Sequence, residues 1–169
     1  MPTSTYTKIT SYTVPSAQGT ISLTGIPSTY TDLTLIGAGG TTANDTSILV
    51  TFNNDTGANY ATSLGYTNTS TSATNNYTSK TAVYFGYFAG LNSTYQWTGT
   101  LNIYQYTNSN WYKQVMIRST SAAGSTYKGL EYGSGTWLST STINRIDLVA
   151  NGSTFITGTI FTLYGIKAA

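Results

Sequence analysis

The last apolar stretch, Thr159-Ile160-Phe161-Thr162-Leu163-Tyr164-Gly165-Ile166, constrains the fold more than any other part of the chain. In an extended segment successive side chains point to opposite faces. Phe161 and Leu163 then share one face, while Ile160, Tyr164 and Ile166 share the other. A strand open to water on one side carries polar residues at every second position. This one does not, so it is expected to lie inside a sheet with both faces at least partly covered, completing that sheet at the end of the chain.

Other stretches supply the neighbours such a strand needs. Strands are expected at 6–13, 20–24, 32–38 (Leu33, Leu35, Ile36), 47–52 (SILVTF), 82–88 (AVYFGYF) and 99–106 (GTLNIYQY). In 111–119 the alternation is regular: Trp111, Lys113, Val115 and Ile117 face Tyr112, Gln114, Met116 and Arg118. A weak pair surrounds Leu130 and Trp137, and 143–150 places Ile146 and Leu148 inside. Residues 67–79, almost wholly Thr, Ser, Asn and Tyr, read as a long exposed loop. Gly-, Pro- and Asn-rich turns separate the strands, and no window carries a 3.6-residue apolar stripe. About nine to eleven short strands and no helix predict an all-β chain, an antiparallel two-sheet sandwich of jelly-roll type. At 169 residues it is expected to be a single domain spanning 1–169, burying roughly 70% of its unfolded surface.

Composition narrows the chemistry. There is no Cys and no His, which removes thiolate chemistry, disulfides, the commonest general base and the commonest metal ligand. Charged residues make up only 7% of the chain, and the net charge is +2. The seven cations, at 8, 80, 113, 118, 128, 145 and 167, form no run or stripe, so no nucleic-acid partner is expected. Met1-Pro2-Thr3-Ser4 has neither the basic nor the apolar region of a signal peptide, and no 18-residue apolar run exists, so no membrane partner is expected. The start at Met1 and the end at Ala169 fit a whole gene product.

Three features could carry chemistry. The loop Asn53-Asn54-Asp55-Thr56-Gly57-Ala58-Asn59 is rich in oxygen donors, as a calcium loop would be. It holds a single carboxylate, and an Asn/Asp-Gly turn between strands explains it better. The five carboxylates, Asp32, Asp45, Asp55, Glu131 and Asp147, form no local motif. A glycoside hydrolase needs two of them about 5–10 Å apart, yet surface turns and isolated salt links are the expected roles. The aromatics exceed what a core of this size can hide. Of these, Tyr77, Tyr95, Trp97, Trp111, Tyr132 and Trp137 are candidates for contact with another chain or a glycan. Cross-strand pairing on a sheet face explains them equally well. No catalytic residue, metal or cofactor is expected. The six Asn-x-Ser/Thr sequons follow from the composition and carry no glycan inference.

Three segments carry a resemblance: Ile21-Ser22-Leu23-Thr24-Gly25-Ile26-Pro27-Ser28-Thr29-Tyr30-Thr31-Asp32-Leu33; Phe52-Asn53-Asn54-Asp55-Thr56-Gly57-Ala58-Asn59-Tyr60; and Ser153-Thr154-Phe155 with Phe161-Thr162-Leu163-Tyr164-Gly165-Ile166-Lys167. In order and spacing, from about residue 6 to 167, the chain resembles a family of small virion structural proteins of tailed phages. Thr159-Ile160 before Phe161 departs from that pattern, where a direct Gly-Ser-Thr-Phe-Thr-Leu-Tyr-Gly run is more typical. The resemblance implies a β-sandwich on the virion exterior. A capsid decoration (cement) protein on the outer surface of the head is the leading expectation, with the major capsid protein as partner and a homotrimer as its assembly. A receptor- or glycan-binding fibre or tail module is the alternative, and a polysaccharide depolymerase a third. The resemblance brings no catalytic residues.

Overall fold

The computed structural model describes residues 5–43, 46–67, 71–88, 97–123 and 127–167. Among them are twelve strands and no helix: β1 (Tyr6–Thr13), β2 (Thr20–Thr24), β3 (Asp32–Gly39), β4 (Thr46–Phe52), β5 (Tyr60–Thr67), β6 (Ser72–Lys80), β7 (Val83–Phe88), β8 (Trp97–Tyr104), β9 (Lys113–Ala123), β10 (Tyr127–Trp137), β11 (Arg145–Ala150) and β12 (Ile160–Ile166). They form an eight-stranded sheet, β1-β12-β3-β8-β9-β10-β5-β6, and a four-stranded sheet, β2-β11-β4-β7. Every pairing is antiparallel.

The strand order has a simple origin. Without β5, β6, β9 and β10, each sheet has four strands, ordered β1-β12-β3-β8 and β2-β11-β4-β7. The chain then crosses between sheets at every step, β1 to β2, β2 to β3, β3 to β4, β7 to β8, β8 to β11 and β11 to β12, except from β4 to β7. This is a long hairpin wrapped around a barrel-like core, the jelly roll. Two hairpins are inserted into it, β5–β6 between β4 and β7 and β9–β10 between β8 and β11. Both extend the larger sheet beyond β8.

The core lies between the sheets. Leu33 and Leu35 of β3, Leu101 and Ile103 of β8, Val115 and Ile117 of β9, and Phe161 and Leu163 of β12 are buried. So are Ile21 and Leu23, Ile146 and Leu148, Ile48, Val50 and Phe52, and Val83 and Phe85 of the smaller sheet. From Lys113 on the alternation in β9 appears as expected, with Lys113, Val115 and Ile117 buried and Gln114, Met116 and Arg118 exposed, but Trp111 precedes the strand and is exposed rather than sharing the buried face.

Small residues make room for the largest core side chain. A Cβ on Gly37, Gly86 or Gly99 would come within 2.7, 2.6 or 2.3 Å of the Trp97 indole. Glycines from β3, β7 and β8 therefore form a slot for Trp97, which packs edge-on against Phe85 and tilted against Phe161. Elsewhere Tyr30 lies over Gly165, whose Cβ would meet the Tyr30 ring at 2.3 Å, and the Thr31 amide donates to the Ile166 carbonyl at 2.8 Å. The 26–33 segment is thereby fastened to the end of β12.

Two expectations are corrected. Residues 72–80 are not loop but the edge strand β6, paired to β5 alone. An outermost strand needs only one hydrogen-bonded neighbour and can leave both faces wet, so its polar composition concealed it. The weak pair around Leu130 and Trp137 is one continuous strand, β10, because its glycines interrupt the apolar pattern without breaking the pairing. The expectation for β12 holds: it is interior to its sheet, between β1 and β3, with its Phe161–Leu163 face covered fully and the other face in part. On the other face Thr162, Tyr164 and Ile166 are half-buried and Ile160 is exposed, because nothing packs above that face except side chains of neighbouring strands such as Tyr6 against Tyr164.

Candidate functional site

The loop 53–59 is a turn. Asn53 and Asn54 both have positive φ, 53° and 60°, and the Asp55 amide donates to the Phe52 carbonyl at 2.9 Å, which is the type I′ arrangement of tight hairpins. The Asp55 carboxylate accepts from the Gly57 amide (2.8 Å), the Asn59 amide group (3.0 and 3.2 Å) and the Trp137 indole N–H (2.7 Å). The indole contact is the main force holding Asp55 below its ordinary value, working against the cost of its burial. Both carboxylate oxygens are therefore occupied by protein donors. Among the described residues no three carboxylates come together as a metal cluster would require.

The other carboxylates are engaged separately. Asp147 is paired with Arg145, Nε to Oδ2 and Nη2 to Oδ1 both at 2.8 Å, and accepts from Ser22. Glu131 accepts from Ser119 Oγ at 2.7 Å. Asp45 lies outside the described residues.

The six aromatic candidates divide by burial. Trp97 and Trp137 are core side chains, 0% and 3% exposed, and their assignment to a partner or glycan surface is corrected. Trp97 fills the glycine slot, and Trp137 packs on Phe52 and Tyr60 while its N–H is spent on Asp55. Tyr77 is half-buried and stacks on Tyr84, centroids 4.3 Å apart, with Lys80 Nζ over its ring. This contact joins β6 of the larger sheet to β7 of the smaller one and is not a pair on one sheet face. Tyr95 lies outside the described residues. Tyr132 and Trp111 are exposed, 55% and 62%.

Trp111 belongs to a recess of about 310 Å³ at one end of the larger sheet's outer face. The connection between β8 and β9 forms one wall with Gln105, Asn108, Trp111 and Tyr112. Tyr104 and Gln114, registered partners on β8 and β9, form the floor, and Thr31 and Asp32 at the start of β3 close the other side. Tyr104, Trp111 and Tyr112 are all exposed.

This loop is held rigidly. Lys113, only 1% exposed, donates from Nζ to the carbonyls of Asn108 (2.5 Å), Trp111 (3.2 Å) and Thr140 (2.8 Å). Three donors meet three carbonyls, which satisfies an ammonium completely. Burial pushes this ammonium below the usual lysine range. Asp32 Oδ1 accepts from the Gln105 amide at 2.6 Å, fixing Gln105 in a left-handed conformation of φ 46°. Asn108 closes the turn by donating from its amide N–H to the Gln105 carbonyl, and its side chain donates to Gln105 Oε1.

Sequence reasoning found Trp111 but not its partners. Two signals were present: Trp111 and Tyr112 are adjacent, so one of them must point outward, and Lys113 shares a face with Val115 and Ile117. The approach of Asp32 and Tyr104 depends on the pairing of β3 with β8, which no local pattern encodes.

No protein-family model matches the chain, and neither does any curated protein or solved structure.

Proposed function

We propose that the protein is a structural component of a tailed-phage virion, a decoration protein seated on the outer surface of the head against the major capsid protein. One observation carries the reading: the far end of the larger sheet's outer face mixes exposed apolar side chains with Thr98, Thr100, Thr120 and Thr162 and carries little charge. Leu130 and Tyr132 of β10, Ile36 of β3 and Ile160 of β12 are exposed there, with Arg118 between Tyr132 and Ile36 as the charge in that row. A flat sheet face of this kind suits docking on a preformed lattice, where contact area rather than charge supplies affinity. The resemblance of the three sequence segments to small virion proteins points the same way.

The test is made on particles. Immunogold labelling should place the protein on heads, and particles lacking it should lose DNA at lower temperature. Leu130→Asp combined with Tyr132→Asp should fold normally and fail to load. Label on the tail, or mutant particles with normal heads and impaired adsorption, would overturn the head assignment. A virion glycan-binding module is the second reading, and the recess at Trp111 favours it. The recess lining holds a single carboxylate, Asp32, whereas the usual glycosidase route uses two, so binding is favoured there over depolymerisation.

A further inference from the structure

We infer that the recess between β3 and the β8–β9 loop is a binding site for a neutral oligosaccharide, with Trp111 as its stacking platform. The inference rests on the second reading above and is independent of where on the virion the protein sits.

Tyr104, Trp111 and Tyr112 present three exposed aromatic side chains around one concavity. Exposed rings of this size lose apolar contact with nothing in return unless a ligand covers them, and a pyranose ring offers an apolar C–H face that fits a flat aromatic one. Between the rings lie polar groups with unused capacity. Asp32 Oδ2 and the whole Gln114 side-chain amide have no hydrogen-bond partner among the described residues, while Gln105 accepts through Oε1 and keeps its two amide protons. Acceptors thus alternate with donors over a short distance. A hydroxyl is both donor and acceptor and can satisfy either kind.

The charge of the ligand follows from the lining. None of its side chains is cationic, and Asp32 is anionic. Uronates, sialylated chains and phosphorylated glycans would meet repulsion without compensation, so the structure assigns the site to neutral sugars. Its volume of about 310 Å³ is near the lower end for ligand clefts, which suits one or two sugar units of a longer chain. The loop needs little ordering on binding, because Lys113 and Asp32 already fix its backbone.

The experiment is calorimetric titration of the full chain with cellohexaose, maltohexaose, mannohexaose and, as the acidic comparison, hexagalacturonate. Trp111→Ala and Leu138→Ala, an exposed residue that does not line the recess, are measured alongside, with thermal unfolding to establish that both fold. At least one neutral hexasaccharide should bind, Trp111→Ala should weaken it by about tenfold or more, and Leu138→Ala should leave it unchanged. If wild type and Trp111→Ala bind equally, the recess is not the site, although the protein is still a glycan binder. Binding of none of the probes at millimolar concentration would overturn both the site and the module reading. A preference for hexagalacturonate would overturn the neutral class.

Discussion

At the scale of single residues, this protein relies on close fits in which one group leaves no room or no charge to spare. The Trp97 slot is the plainest case. A methyl group added at Gly99 would overlap the indole, so Gly99→Ala should destabilise by about 1–3 kcal/mol, measured by urea unfolding. Lys113→Met keeps the stem but strands the carbonyls of Asn108, Trp111 and Thr140, and should cost about 1–3 kcal/mol in the same assay. Asp55 makes a pH-dependent contribution. Its folded-state value lies below the ordinary 3.8, so its stabilising effect is complete above that value and is lost as pH falls through the lower one. The melting temperature of wild type should therefore drop more steeply below about pH 4 than that of Asp55→Asn. None of these three roles was legible from local pattern alone. Part of each environment is close in sequence, Trp97 for Gly99, Trp111 and Asn108 for Lys113, and Gly57 and Asn59 for Asp55, but the Trp97 slot also needs Gly37 and Gly86, and Thr140 and Trp137 reach Lys113 and Asp55 only through the fold.

At the scale of elements, apolar density decided what could be read. Strands β2, β4, β9 and β11 announce themselves because each carries a buried face of Val, Ile, Leu or Phe. Strand β6 carries none and was hidden among Thr and Asn, although β-branched Thr suits an extended edge. Its existence depends on β5 offering a free ladder, which is a property of the neighbour. Strand β12 was legible as interior with both faces at least partly covered, but not which of the two is the fully buried one. Leu163, fully buried beside Phe161, gives the quantitative check: Leu163→Ala should cost about 2–5 kcal/mol, whereas Ile160→Ala on the open face should cost no more than about 0.5 kcal/mol. Equal losses at the two positions would contradict the described burial.

At the scale of the whole molecule, the sandwich class was legible from turn spacing and the lack of helical periodicity, while the wrapping order was not. Antiparallel partners such as Tyr6 and Ile166 lie at opposite ends of the sequence, and no local pattern encodes such a pairing. The proposed trimer belongs to this scale as well. With a surface of little charge and few ions to pair, association should change little between low and high salt, and sedimentation at two ionic strengths measures it. A monomer in both buffers would remove the assembly.

The pairing of β1 with β12 also sets a timetable. At the edge of its sheet β1 has β12 as its one ladder partner, and β12 leaves the ribosome after all the other described strands. Throughout synthesis the first strand must wait with its backbone unpaired, as must β2 until β11 emerges. The β1 and β2 edges of the nascent chain therefore close late, after pairs such as β5–β6 and β9–β10 can form, and a ribosome stalled just before Ile160 would hold a chain that proteases can still enter from β1.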